Sequence, residues 1–210
     1  MTVRRTTTAA ALLLAGLALA GCVTLFPKTK PVQLYRFGDH PAPAVAAVGG
    51  GASSFSVLGP DPTFTREAEG DRILTVTGEE TAYVADARWV APATVLFNEA
   101  EVRAFEAAGG PARLVKRSDV AAPKLALRLD VENFEVDYPR TGPHTPTVNV
   151  QVRAVLIRSV DRQVVAEKTF GARKPVRENR MVGIVGAFDT ATTETLGQIV
   201  DWTNAQGSGD

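Results

Sequence analysis

From Leu125 the chain alternates strictly, with Leu125, Leu127, Leu129 and Val131 apolar and Lys124, Arg128, Asp130 and Glu132 polar. That period of two belongs to a half-buried strand. The apolar series then moves to Phe134, Val136 and Tyr138, so one residue is inserted near Glu132 and Asn133. A β-bulge does this while keeping the same face buried; the alternative is that one strand ends there and another begins. Thr147 to Arg158 alternates Val148, Val150, Val152 and Ala154 against Asn149, Gln151 and Arg153, and Gln163 to Ala172 follows after the short link Ser159–Arg162. Links this short join antiparallel strands, which predicts a hairpin. Shorter strands are expected over Val32–Phe37, Phe55–Leu58, Arg72–Thr77 and Thr81–Val84, the last entered by the turn Gly78-Glu79-Glu80. Asp39 to Ser54, with its Gly49-Gly50-Gly51 triplet, reads as loop.

Two stretches carry a helical period instead. Pro92 to Ala108 places Leu96, Phe97, Ala100, Ala104, Phe105 and Ala108 on one side and Glu99, Arg103 and Glu106 opposite, with Glu101 and Val102 interrupting the pattern. Gly109-Gly110-Pro111 stops it. The final helix is expected from about Asn179 to Asn204, with Met181, Ile184, Val185, Phe188, Ile199 and Trp202 in one stripe flanked by Ala191 and Leu196. Its other face collects Gly183, Gly186, Thr190, Thr193 and Gly197. Each helical glycine costs up to about 1 kcal/mol relative to alanine. Either this face merely tolerates small residues, or another backbone approaches it, from a loop of the same chain or from a neighbouring subunit. Gly183, Gly186, Thr193 and Gly197 are therefore candidate interface residues. The fold class that results is α+β: a single domain with a mainly antiparallel sheet, a mixed sheet being left open, and two principal helices packed on it.

The N-terminus has a different character. Arg4-Arg5 precede an apolar run from Ala9 to Ala20, which is too short for a bilayer core needing about 20 apolar residues and has the form of a secretory signal. Leu19-Ala20-Gly21-Cys22 matches the bacterial lipoprotein box, whose cysteine is lipidated and becomes the new first residue. Residues 1–21 are thus expected to be a signal peptide, 22–31 the lipidated N-terminus and tether, 32–204 the α+β domain and 205–210 a flexible tail. Loss of residues 1–21, with Arg4 and Arg5, leaves 189 of 210 residues with 21 basic against 23 acidic side chains, a formal charge of −2. Cys22 would carry a diacylglycerol thioether and an N-acyl chain; two or more acyl chains anchor stably where one is marginal. Val23 after the cysteine favours the outer membrane by the enterobacterial sorting rule.

Composition then narrows the chemistry. The chain is 45% hydrophobic and 22% charged, with 23 basic and 23 acidic residues, which excludes a disordered protein and removes the positive excess a nucleic-acid partner requires. Two histidines and one cysteine are too few for a zinc site, a disulfide framework or a redox pair. No G-x-S-x-G, H-E-x-x-H, S-x-x-K or EF-hand loop occurs. His40 and His144 adjoin prolines in expected turns, and adjacent Glu79 and Glu80 on a turn do not face each other across a substrate. The expectation is a protein that is not an enzyme, with no metal and no cofactor beyond its acyl chains. The seventeen arginines against six lysines favour protein or head-group contacts.

Several stretches carry a resemblance: Tyr35-Arg36-Phe37, Gly70-Asp71-Arg72-Ile73, Thr81-Ala82-Tyr83-Val84-Ala85-Asp86-Ala87-Arg88-Trp89, Val115-Lys116-Arg117, the strand through Leu129 and Phe134, and Gly186-Ala187-Phe188-Asp189 with Leu196 and Trp202. In this order and spacing they resemble the auxiliary lipoproteins of ABC-type transporters, the family that includes paraquat-inducible protein C and accompanies MCE (mammalian cell entry) lipid-transport systems. The resemblance implies a non-enzymatic, outer-membrane-anchored periplasmic domain that helps an MCE assembly move phospholipid or another hydrophobic molecule between the two membranes. It also implies a homo-oligomer, with the MCE-domain protein and the ABC permease and ATPase as partners. A subunit of such an oligomer needs surfaces for its own copies and one for its partner. The segment from Tyr83 to Trp89 and the small face of the last helix are the candidates, although Tyr83 and Trp89 suit a core equally. A second reading, an outer-membrane lipoprotein regulating a periplasmic enzyme such as a cell-wall synthase, fits the same anchor and domain.

Overall fold

A computed structural model describes residues 31–39, 54–116, 123–142 and 145–207. Cys22, the segment 1–21, most of the tether, His40, His144, the glycine triplet and residues 208–210 lie outside the described residues. In chain order the elements are β1 (Gln33–Tyr35), β2 (Phe55–Leu58), β3 (Thr63–Phe64), β4 (Arg72–Thr77), β5 (Glu80–Trp89), α1 (Ala93–Ala108), β6 (Ala112–Val115), β7 (Leu125–Asp137), β8 (Thr147–Arg158), β9 (Val164–Pro175) and α2 (Met181–Gly207).

Strand β7 is the axis of a mixed sheet. Along one edge it pairs antiparallel with β8, which pairs antiparallel with β9, so the expected hairpin forms. Along its other edge three strands follow one another, all parallel: β2 at Leu125 and Ala126, β3 at Asp130 and Val131, and β4 at Val136 and Asp137. β4 continues antiparallel to β5, and β1 closes that side parallel to Ala87–Trp89. β6 lies parallel to β2. The antiparallel half was legible from alternation. The parallel additions were not, because β3 and β6 are two- and four-residue strands with no room for a period.

The register of β7 against β8 shifts between Val131 and Asn133, the bulge that the phase change predicts. It keeps Phe134 on the face of Leu127, Leu129 and Val131, all buried. Phe134 becomes the centre of an aromatic cluster, with ring centroids 4.7 Å from Phe188, 5.0 Å from Phe37, 5.6 Å from Phe64 and 6.3 Å from both Trp89 and Phe97. Those partners come from α2, the residues after β1, β3, β5 and α1. A second irregularity turns Trp89 inward: Arg72 faces Arg88 but Leu74 faces Tyr83, and Asp86 takes φ 55, a left-handed conformation that a short polar side chain tolerates.

Phe37 reaches the cluster because β1 ends early, at Tyr35 rather than at the expected Phe37. Gly38 holds the exit at φ 76, its N–H donated to Asp189 of α2 at 2.7 Å and its carbonyl accepting from Arg103 Nε of α1 at 3.0 Å. A Cβ there would lie 2.7 Å from that of Ala100, so only glycine passes between the two helices.

Both helices cover the face that carries Phe134. In α1, Leu96, Phe97, Ala100, Ala104 and Phe105 are buried as expected, and Gly109 closes the helix at φ 59. Glu101, read as an interruption, is buried with them. In α2 the buried stripe is rotated from expectation. Ala187, Ala191, Thr192, Thr195 and Thr203 are buried beside Ile184, Phe188, Leu196 and Ile199, while Met181, Val185 and Trp202 are only half-buried. Thr203 turns its hydroxyl back to the Ile199 carbonyl at 2.8 Å, whereas the buried Thr192 and Thr195 hydroxyls have no hydrogen-bond partner among the described residues. The helix also runs to Gly207, so residues 205–207 belong to it and not to a tail; a Cβ on Gly207 would overlap the ring of Phe55.

Truncating the cluster's central ring removes contacts to five aromatic partners at once. Phe134→Ala should destabilise the domain by about 3–5 kcal/mol, read as a fall in the denaturant midpoint.

Candidate functional site

Among the described strands β9, β5 and β6 each have a side without a strand partner, and the first two border the sequence candidates. β9 pairs only with β8, and its register is unbroken from Ala166 to Pro175, leaving a long regular edge. α2 lies over β8 and β9 and so borders that edge. β1 covers only Ala87–Trp89 of β5, and the outer edge from Glu80 to Asp86 is open.

The sequence candidates divide between these edges and the core. Tyr83 stands on β5, half-buried, with its hydroxyl donating to the Glu67 carbonyl at 3.1 Å and the Arg72 guanidinium 3.7 Å from its ring centroid. Trp89 does not join it. It is 2% exposed and packs edge-on against Phe37 at 4.9 Å and Phe188 at 5.2 Å, so its indole is committed to the core and presents no surface to a partner. The irregularity at Asp86 separates the two roles.

The small face of α2 also divides. A Cβ on Gly183 would fall 2.4 Å from the Glu178 carbonyl oxygen and 3.3 Å from Val176 Cγ1, so the backbone that approaches it is a segment of the same chain. A Cβ on Gly186 or Gly197 would meet no atom of the described residues outside the helix's own backbone within 4 Å. Gly186 instead lines a groove of about 370 Å³ with Gly183, Ala187 and Thr190, bounded by Lys174 and Pro175 at the end of β9 and by Arg177 and Val182. Val182 is 79% exposed at its rim. Lys174 is ion-paired with Glu194 across the strand–helix boundary, and Thr193 is half-buried on the same helix. Helical periodicity found these residues; the groove they line depends on where β9 ends, which no local pattern shows.

One titratable group was missed altogether. Glu101 is fully buried, and neither carboxylate oxygen has a hydrogen-bond partner among the described residues. Burial, reinforced by the nearby charge of Asp61 and opposed by Lys116, pushes its pKa up to about 8, so it is a neutral acid at pH 7. The face of the sheet away from the helices is polar and charge-paired. Arg153 donates to Glu167 at 2.6 Å, Arg128 to Asp130 at 3.2 Å and Gln151 to Glu132 at 2.9 Å. Exposed pairs of this kind each contribute little to stability. Among the described residues no group of three or more His, Cys, Asp or Glu side chains is placed to hold a metal ion.

The family model described as "ABC-type transport auxiliary lipoprotein component" matches residues 35–200. The chain belongs to this family. Protein XCC0632 from Xanthomonas campestris is similar to this auxiliary lipoprotein in structure, with a TM-score of 0.73 and 28% identity over 83% of this chain and 96% of that one. An uncharacterised protein of known structure shares the fold at a TM-score of 0.61 and 11% identity, covering 83% of this chain and 99% of its own. No curated protein matches the sequence. The family match runs from β1 into the last turns of α2, so it contains these strand edges and the aromatic cluster. Among the described residues no helix is long and apolar enough to cross a membrane.

The two glycines of the groove should respond oppositely to the same change. Gly183→Ala should lower thermal stability, because its Cβ meets backbone, whereas Gly186→Ala should raise it by up to about 1 kcal/mol through helix propensity. Glu101 makes stability depend on pH. With a folded pKa near 8 against an ordinary 4.5, its contribution is fully present below about pH 4.5 and is lost as pH rises through 8. Glu101→Gln should therefore gain most over the parent at pH 8 and least near pH 4, as measured by paired denaturation curves.

Proposed function

We propose that this auxiliary lipoprotein is anchored in the outer membrane through acylated Cys22 and serves an MCE-type ABC system that moves phospholipid between the two membranes. It acts by assembly rather than catalysis: copies of the domain associate with one another and with the MCE-domain protein, the permease and the ATPase. The observation that carries this reading is the family match over residues 35–200, which identifies an ABC-type transport auxiliary lipoprotein component. Two further features support it. The sequence Leu19-Ala20-Gly21-Cys22 supplies a lipidation box, and Val23 fits outer-membrane sorting. A formal charge of −2 after processing offers no electrostatic hold on anionic lipid, so acyl chains are the anchor. On the domain itself, a groove and open strand edges are features suited to protein contact.

Cys22→Ala should abolish palmitate incorporation and release the domain into the periplasmic fraction; unchanged labelling would rule out acylation at that residue. Detergent-extracted, acylated protein should co-purify with an MCE-domain protein, a permease and an ATPase. Recovery of a cell-wall synthase without any of these would replace the transport reading with the regulatory one.

A further inference from the structure

Eight large hydrophobic side chains are exposed among the described residues, and four of them, Val32, Leu34, Val90 and Val95, lie where the chain enters the domain. Tyr35 packs against the core, so its neighbour Leu34 stands on the opposite side of β1, level with the exposed Arg88, and is 61% exposed. Val90 follows β5 and donates its N–H to the Tyr35 carbonyl at 2.8 Å, which holds it beside β1. Val95 is in the first turn of α1, one turn before Glu99, and Glu99 is ion-paired at 3.3 Å with Arg36, two residues after Leu34. The four side chains therefore share one region, at the junction of β1, the end of β5 and the start of α1. Charge around this region cancels. Arg36 also pairs with Asp39 at 3.5 Å, Arg103 lies 3.8 Å from Glu99 and 3.9 Å from Asp39, and Arg88 pairs with Asp71 at 3.0 Å. Glu69, whose carbonyl accepts from the Thr94 N–H at 3.4 Å, and Asp86 border it as exposed acids, and Lys28 and Lys30 come shortly before Val32 in the chain. The region thus offers apolar contact without a net field. Val32 is also only ten residues from Cys22, and ten residues span at most about 36 Å when fully extended.

We propose that Val32, Leu34, Val90 and Val95 form a lipid-contacting patch, which lays this corner of the domain on the membrane surface that holds Cys22. The proposal rests on the reading that Cys22 is acylated, and it adds a second, non-covalent contact that sets which side of the domain faces the bilayer. A patch tied this closely to an anchor meets the bilayer as an intramolecular event, at an effective concentration that lets weak contact hold. Apolar side chains at the boundary of headgroups and acyl chains bind in proportion to the apolar area they bury. Because the surrounding charges cancel, the contact is apolar and does not depend on anionic lipid.

The test uses the acylated full-length chain in vesicles of phosphatidylethanolamine and phosphatidylglycerol, with and without nitroxide-labelled acyl chains. The chain has one cysteine, so once Cys22 is acylated an introduced cysteine is the sole thiol for an environment-sensitive fluorophore. Probes at Leu34→Cys and Val95→Cys should shift to the blue and be quenched by the nitroxide lipid. A probe at Val160→Cys, exposed in the β8–β9 link, should do neither. High salt should leave the quenching unchanged. Leu34→Asp should remove most of the quenching at residue 95 while palmitate incorporation, vesicle flotation and helix content persist. Probes at 34 and 95 that read as water overturn the proposal, as does equal quenching at 160 or a contact that high salt abolishes. A blue shift without quenching also overturns it, because protein and not lipid then covers the patch, whether a second copy or a partner. Palmitate labelling separates this proposal from the anchoring one. Chain that takes up no palmitate at Cys22 sinks both, whereas palmitoylated chain with no lipid contact at residue 34 sinks the patch alone.

Discussion

The side of β7 on which Phe134 stands is the constraint from which the rest of the domain follows. Without the extra residue near Glu132 and Asn133, strict alternation from Val131 would aim that ring at solvent. With it, Phe134 lies 4.7–6.3 Å from five other rings contributed by five separate parts of the chain. Aromatic side chains carry the largest apolar area per residue, and edge-to-face pairs add to what burial supplies. A cluster of this kind therefore ties together segments with little hold of their own. β1 is three residues long and β3 two, and neither would persist as an isolated strand. Phe37 and Phe64 secure them to the centre.

The same arrangement assigns faces. Because α1 and α2 cover the Phe134 side, the opposite side of β7, β8 and β9 is left to Arg128, Asp130, Arg153 and Glu167, which neutralise one another. Among the described residues, strand edge without a partner strand is left at β9, at β5 and at β6. Gly183 and Gly186 show how local the distinction is. One turn apart, the first is required by the Glu178 carbonyl and the second faces a groove. Glu101 sits at the other extreme, a carboxyl retained inside α1 as a neutral acid because its surroundings do not stabilise a charge.

Much of this was legible in the chain. Alternation located β7, β8 and the bulge, because side-chain direction in a strand is a strictly local property. The helix ends at Gly109 and near Met181 followed from breakers and periodicity. Other features were not legible. Trp89 could be core or surface until the irregularity at Asp86 set its direction, and Glu101 looked like a break in an amphipathic helix because its residue type says polar while its position says buried. The rotated stripe of α2 depends on Thr192 and Thr195, whose small side chains suit either environment.

By itself the sequence determined the antiparallel hairpin, the bulge, the two helices and the family to which the chain belongs, since each of these is written in neighbouring residues or in their ordered spacing. Only the tertiary structure decided the three parallel strands that share one edge of β7, the burial of Trp89 and Glu101, and the difference between Gly183 and Gly186. Those outcomes depend on contacts between residues far apart in the chain. Their geometry is fixed by which surfaces the aromatic cluster draws together, and no local period encodes it.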